Sequence, residues 1–162
     1  MGKRQLVLWR HGRTSWNLEQ RFQGQTDIPL DEVGISQAKN AASLLQHLKP
    51  SYIVSSDLSR ANQTGSILAD LLNLQITKDK RFRETAHGEW EGLTYPELKQ
   101  KFGDEYLRWS NGEEIKPGNN GETRSEVAQR MVEGIYDHMK LVPDGNVFVV
   151  ATHGGAARVA AG

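Results

Sequence analysis

The chain has 162 residues, of which 37% are hydrophobic and 25% charged, enough apolar material for a real core and too much for a disordered chain. Twenty basic residues balance twenty acidic ones, so no global field recruits nucleic acid or an anionic membrane, and any anion site must be local. Cysteine is absent, which excludes disulfides and thiolate chemistry and leaves only His and carboxylates to hold a zinc ion. The start, "MGKRQLVLW", lacks the apolar region and small-residue cleavage site of a signal peptide, and no run reaches the length of a membrane span. A single cytoplasmic domain over residues 1–162, with no nucleic-acid or membrane partner, is therefore expected.

In chain order, Leu6–Arg10 reads as a buried strand that ends abruptly in Arg10-His11-Gly12. Asp31–Leu48 carries apolar residues at helical spacing (Val33, Ala38, Ala41, Ala42, Leu45, Leu48) and stops before Pro50. Tyr52–Ser56 is a second short strand, Ser59–Leu72 a second helix, and Leu74–Thr77 an edge strand. Pro96–Phe102 and Thr123–Lys140 read as helices, the latter with Val127, Met131, Ile135 and Met139 four apart. Asn146–Thr152 is an apolar run without alternation, the mark of a strand covered on both faces. "HGGAARVAAG" then opens another helix. Strands separated by helices predict an α/β fold, a mostly parallel sheet between two helical layers. Three long polar loops, Thr14–Leu30, Phe82–Tyr95 and Gly112–Gly121, are the places to look for function.

Two of these buried strands deliver a His-Gly at their C-terminal ends, His11-Gly12 and His153-Gly154. In an open parallel sheet those ends share one edge, where ligands sit in the crevice. The surroundings favour an anion. Arg10 and Arg13 flank His11 and repel a cation, and Arg60 lies near the start of a helix at the same edge. The loop "RFRETAHGEWEGLTYPEL" carries Glu84, Glu89 and Glu91. A carboxylate brought into a basic phosphate pocket repels the ligand unless protonated, which makes one of them a candidate general acid. Spacing alone does not choose among the three. Trp9 reads as core, whereas Trp16 and Trp90 lie in loops from which one of them could line a pocket.

The blocks "LWRHGRTSWN", "RFQGQTDIPLDEVGISQA", "VSSDLSRANQTG", "FRETAHGEWEGLT", "NGETRSEVAQR" and "VATHGG", in this order, resemble the histidine phosphatases, the superfamily that includes the cofactor-dependent phosphoglycerate mutases. The resemblance implies that His11 is the nucleophile and forms a phosphohistidine. It implies that Arg10, Arg60 and His153 bind the phosphoryl oxygens and that Glu84 protonates the leaving oxygen, then acts as base toward water. Asn17, Gln23, Gly24 and Gly154 match substrate-contacting positions. No metal and no cofactor are implied, and the substrate class is a small phosphorylated metabolite. The segment after the acid loop is short and lacks the Glu-Arg-x-Tyr-Gly stretch of the mutases, so the phosphatase branch is the nearer likeness, with a mutase as the alternative. A non-catalytic phospho-ligand-binding domain is less favoured, because nucleophile, acid and both arginines are present. Family chains continue past the second His-Gly, so a C-terminal helix and strand are expected to be missing here, and a homodimer is left open.

Overall fold

The computed structural model describes residues 2–162. Its strands are β1 (Gln5–Arg10), β2 (Tyr52–Ser55), β3 (Ile76–Lys78) and β4 (Val147–Thr152). The helices are α1 (Ser15–Leu18), α2 (Glu32–Leu45), α3 (Ser59–Leu72), α4 (Tyr95–Ser110), α5 (Arg124–Met139) and α6 (Gly154–Ala161). The strands form one parallel sheet in the order β1-β4-β2-β3. Every residue of β4 is buried, because it has a strand on either side and a helical layer on each face. Its side chains alternate between the two layers. Val149 and Ala151 meet Trp9, Ile53, Ala42 of α2 and Leu68 of α3. Phe148 and Val150 meet Val54, Val127 and Met131 of α5 and Ala156 of α6. The expected three-layer α/β/α architecture is thus the observed one.

Differences from the sequence reading have local causes. Asp31 caps α2 rather than starting it, accepting the Gly34 N–H at 2.7 Å. That helix ends at Leu45, and Gln46–Leu48 tightens into a 3₁₀ turn ahead of Lys49, whose φ of 51° is left-handed. The edge strand begins at Ile76, not Leu74. Asn73 closes α3 at φ 53°, and the Leu74 N–H returns to the Ala69 carbonyl at 2.9 Å, so Leu74 belongs to the helix stop. The helix predicted over Pro96–Phe102 runs on to Ser110 through a kink at Phe102 (φ −135°, ψ 32°). Its second half is polar except for Tyr106, Leu107 and Trp109, which hides the periodicity. Tyr106 and Trp109 instead join an aromatic cluster around Trp90, with ring centroids 5.9 and 5.5 Å away.

Trp90 is 0% exposed, at the centre of that cluster with Phe22 and Phe102. It is a core residue that anchors the Phe82–Tyr95 loop, not a pocket wall, and Trp16 does not line the pocket either. Trp90→Ala is expected to destabilise the fold by ~3–5 kcal/mol, the cost of deleting a fully buried indole. Urea unfolding measures it, and a loss below about 1 kcal/mol would contradict this packing.

Candidate active site

The register of β1 on β4 pairs Arg10 with Thr152, and the His11 N–H continues the ladder to the Thr152 carbonyl at 3.0 Å. The next residues, His11 and His153, therefore leave the sheet side by side, ring centroids 5.1 Å apart and planes at 65°. Around them lies a cavity of about 140 Å³ lined by Arg10, His11, Asn17, Gln23, Gly24, Arg60, Glu84, His87, Gly154, Gly155 and Arg158. Of the nine residues that the family resemblance marks out, Arg10, His11, Asn17, Gln23, Gly24, Arg60, Glu84 and Gly154 line it; His153 does not, but its ring lies 5.1 Å from that of His11, which does.

Each imidazole is held in a defined state. His11 is buried, and its Nδ1–H donates to the Gly12 carbonyl at 2.6 Å, which leaves Nε2 as the free lone pair. Burial lowers its pKa to about 4, assisted by the charges of Arg60 and Arg10 and only partly opposed by the Gly12 contact. His153 is 0% exposed, and burial together with Arg60 and His11 pushes it well below the usual imidazole range. Its Nε2 lies 2.8 Å from the Ser56 hydroxyl, whose oxygen already accepts the Leu58 N–H. With the hydroxyl hydrogen turned to Nε2, the proton sits on Nδ1, the His153 atom with no partner among the described residues.

Two guanidinium groups of the pocket, Arg10 and Arg60, supply positive charge with no carboxylate at ion-pair distance among the described residues. Arg10 is exposed at the end of β1. Arg60, on the first turn of α3, is 1% exposed and donates to the Thr26 and Gly24 carbonyls, both at 2.7 Å. Its burial lowers its pKa, offset in part by Glu84, Asp27 and Glu91. Asp57, the obvious local partner for Arg60, is taken by a bidentate pair with Arg83. Gly24 can turn its carbonyl to Arg60 because it sits at φ 52°, in the left-handed region.

The amide side chains are aimed by Thr14, which is buried and caps α1. The Thr14 N–H donates to Asn17 Oδ1 at 2.9 Å, and the Thr14 hydroxyl lies 2.7 Å from Gln23 Oε1. Both amide oxygens are thus engaged, which leaves the NH₂ groups of Asn17 and Gln23 as donors for the pocket they line.

Glu84 is the carboxylate of its loop that reaches the site. Its oxygens accept the N–H groups of Thr85, Gly155 and Ala156 at 2.8, 3.0 and 2.8 Å. The last two are N-terminal donors of α6, whose N-cap His153 makes no side-chain cap. Glu91 turns the other way, accepting from Gln25, Thr26 and His87, and Glu89 accepts from Asn119. Arg130 holds the loop from below, donating to the carbonyls of Arg81, Arg83 and Glu84 and pairing with Glu122. Thr14, Ser56 and Arg130 were not singled out from the sequence. Arg130 carries no local signal there, whereas Thr14, three residues before Asn17, is legible as a helix cap.

A cradle of two unpaired arginines, two neutral imidazoles and free N–H donors is matched to a tetrahedral dianion, with one imidazole nitrogen free to attack it. The chain belongs to the histidine phosphatase superfamily, branch 1, whose family model matches residues 6–162. Over 130 residues it is 41% identical to the glucosyl-3-phosphoglycerate phosphatase of Mycobacterium tuberculosis (strain ATCC 25618 / H37Rv), a match that covers 80% of this chain and 58% of that protein. It is 36% identical over 152 residues to the probable phosphoglycerate mutase GpmB of Yersinia pestis (strain Pestoides F), covering 94% of this chain and 70% of that one. The solved structure of mycobacterial glucosyl-3-phosphoglycerate phosphatase complexed with VO3 superposes with a TM-score of 0.90 at 35% identity, over 96% of this chain and 78% of that chain.

Two measurements test the geometry. In imidazole NMR titration, His11 is expected to protonate near pH 4; a midpoint near the unperturbed value of about 6.5 would contradict its burial. The sign for stability follows. Below about pH 6.5 the unfolded chain takes up this proton while the folded one does not, so stability falls as pH drops toward 4. The second concerns Gly155, where a Cβ would lie 2.6 Å from Glu84 Oε1. Gly155→Ala is expected to displace the carboxylate and lower turnover roughly a hundredfold with the fold retained; unchanged kcat would show that the position of Glu84 is not critical.

Proposed function

We propose that the chain is a metal-independent phosphomonoesterase that hydrolyses small phosphorylated metabolites through a phosphohistidine on His11. The observation that carries this reading is the His11 imidazole, its Nδ1–H fixed on Gly12 and its Nε2 open to a pocket that holds two arginines without carboxylate partners. The similarity to phosphatases of small phosphate esters supports it.

In the first step Nε2 of His11 attacks phosphorus, the P–O bond to the alcohol breaks, and Glu84 gives its proton to the leaving oxygen. In the second step Glu84 takes a proton from water, whose oxygen attacks the phosphohistidine and releases phosphate and free His11. The phosphoryl transition state needs positioning and positive charge more than covalent help. Arg10 and Arg60 supply the charge, while His153 Nδ1–H, the amides of Asn17 and Gln23 and the first N–H of α6 at Gly154 supply donors. Arg10 is exposed, so water reaches the phosphoryl group, which favours hydrolysis over the mutase reading that the GpmB likeness keeps open.

A phosphate-release screen over small phosphate esters tests the proposal. Release is expected to persist in EDTA and to vanish in His11→Ala, and acid-quenched enzyme is expected to carry an acid-labile phosphoryl group. Turnover by pure His11→Ala, or activity lost in EDTA and restored by a divalent ion, would overturn the mechanism. Isomerisation of 3-phosphoglycerate with added 2,3-bisphosphoglycerate, in the absence of phosphate release, would assign the mutase reaction instead.

A further inference from the structure

A second cleft opens beside His11. It has a volume of about 280 Å³ and is lined by Arg10, His11, Gly12, Arg13, Asn17 and Gln37. It shares Arg10, His11 and Asn17 with the phosphoryl pocket and extends away from it toward α2, which carries Gln37. Glu84 is held by α6, in the helical layer on the other face of the sheet, and does not line this cleft. The leaving oxygen of an ester must depart in line, opposite Nε2 and toward Glu84. A ligand in the second cleft is therefore not the alcohol half of the ester.

The polar lining of this cleft is one-sided, because its acceptors are engaged. The Gly12 carbonyl takes the His11 Nδ1–H at 2.6 Å, and the Arg13 carbonyl takes the Asp31 N–H at 3.0 Å. Asn17 Oδ1 takes the Thr14 N–H and Gln37 Oε1 takes the Arg13 N–H, both at 2.9 Å. With both amide oxygens turned to backbone, the NH₂ groups of Asn17 and Gln37 are left as donors. Arg13 gives its Nε to Asp31 at 2.7 Å, and Arg10 has no carboxylate at ion-pair distance among the described residues. No carboxylate of the described residues lines the cleft. Two guanidinium groups and two amide NH₂ groups over engaged acceptors suit an oxyanion and repel a cation.

We propose that this cleft is a second binding site for inorganic phosphate, into which the product moves from the phosphoryl pocket. Arg10 and Asn17, which line both spaces, keep contact with the ion as it moves, while Arg13 and Gln37 receive it. The path leads out on the α2 side, so phosphate leaves without passing the alcohol beyond Glu84. Asp31 offsets part of the Arg13 charge and two neighbouring dianions repel, so the second site is the weaker one. With both sites filled the ester is excluded, and product inhibition becomes second order in phosphate. That kinetic consequence rests on the phosphatase reading; the binding does not.

Equilibrium dialysis of the chain against labelled inorganic phosphate counts the sites. Two ions per chain are expected, the second bound about tenfold more weakly than the first. Arg13→Gln and Gln37→Glu are each expected to bind one. The second of these keeps an acceptor for the Arg13 N–H while placing a negative charge in the cleft, and the retained first ion reports that either variant is folded. In hydrolysis of a small phosphate ester, the reciprocal rate of the unmodified chain is expected to curve upward with added phosphate. For Arg13→Gln it is expected to rise linearly, with the rate in the absence of added phosphate within about twofold of the unmodified one. A single ion per unmodified chain, or a second ion that either variant retains, would overturn the site. Linear inhibition of a chain that binds two ions would overturn its place beside the phosphoryl pocket. If no ester is hydrolysed, the phosphatase reading fails and the dialysis alone decides the second site.

Discussion

Parallel pairing of β1 with β4, in the register that sets Arg10 beside Thr152, is the constraint from which the site follows. A slip of one residue would turn every side chain of β1 to the opposite layer. The two apolar layers fix that register, since Trp9 must face the α2–α3 side where Val149 and Ala151 lie. With it fixed, both strands end at the same level. The His-Gly that follows each is then delivered to one point without any contact between the two sequence blocks having to be built separately. Arg60 is added by α3, which follows β2, the neighbour of β4 on its other side. Three consecutive positions of the sheet, β1, β4 and β2, thus contribute His11, His153 and Arg60.

The same edge is where folding is most opposed. Arg60 is buried with no carboxylate at ion-pair distance among the described residues, its charge balanced only from further off by Glu84, Asp27 and Glu91, and two imidazoles are buried neutral. A buried cation is tolerated when most of its donors are met, and here backbone carbonyls of the Thr14–Leu30 loop accept from Nη1 and Nη2, while Nε has no partner among the described residues. That choice matters chemically. A carbonyl satisfies the guanidinium hydrogen-bonding need but leaves its net charge in place for a ligand, whereas a carboxylate would cancel it. Neutral imidazoles are consistent with the same logic: nearby arginine charge and burial both oppose their protonation, which keeps the His11 lone pair available at pH values where a free imidazole would be losing it.

Much of this was legible in the sequence, because apolar runs, caps and glycines act locally. The order of strands and helices, the doubly covered β4 and the two histidines at strand ends all follow from such signals. The second half of α4 was not legible: its buried side is made of Tyr106 and Trp109, whose partners Trp90 and Phe22 come from distant loops. Spacing leaves Trp16 and Trp90 open as pocket-lining candidates for the same reason, since a loop tryptophan looks like a pocket wall until the aromatic cluster is assembled. Nor could spacing choose Glu84 over Glu89 and Glu91. Glu84 reaches the site through N–H groups of α6, some seventy residues on, and through Arg130 beneath its loop.

The support of Glu84 sets it apart from the rest of the site. His11, His153, Arg10 and Arg60 stand on strand ends and helix starts, where a shift would cost core packing. Glu84 hangs from a loop tied at two points, the α6 N-terminus and the Arg130 guanidinium, and its far side faces a cleft walled by α4, α5 and α6 residues. Trp109 and Arg124 line that cleft but not the pocket around His11, so they can vary without touching the residues that surround it. A fold arranged in this way can keep the residues at its strand ends while the wall beyond Glu84 changes, which is how one architecture comes to serve relatives as different as a phosphatase and a mutase.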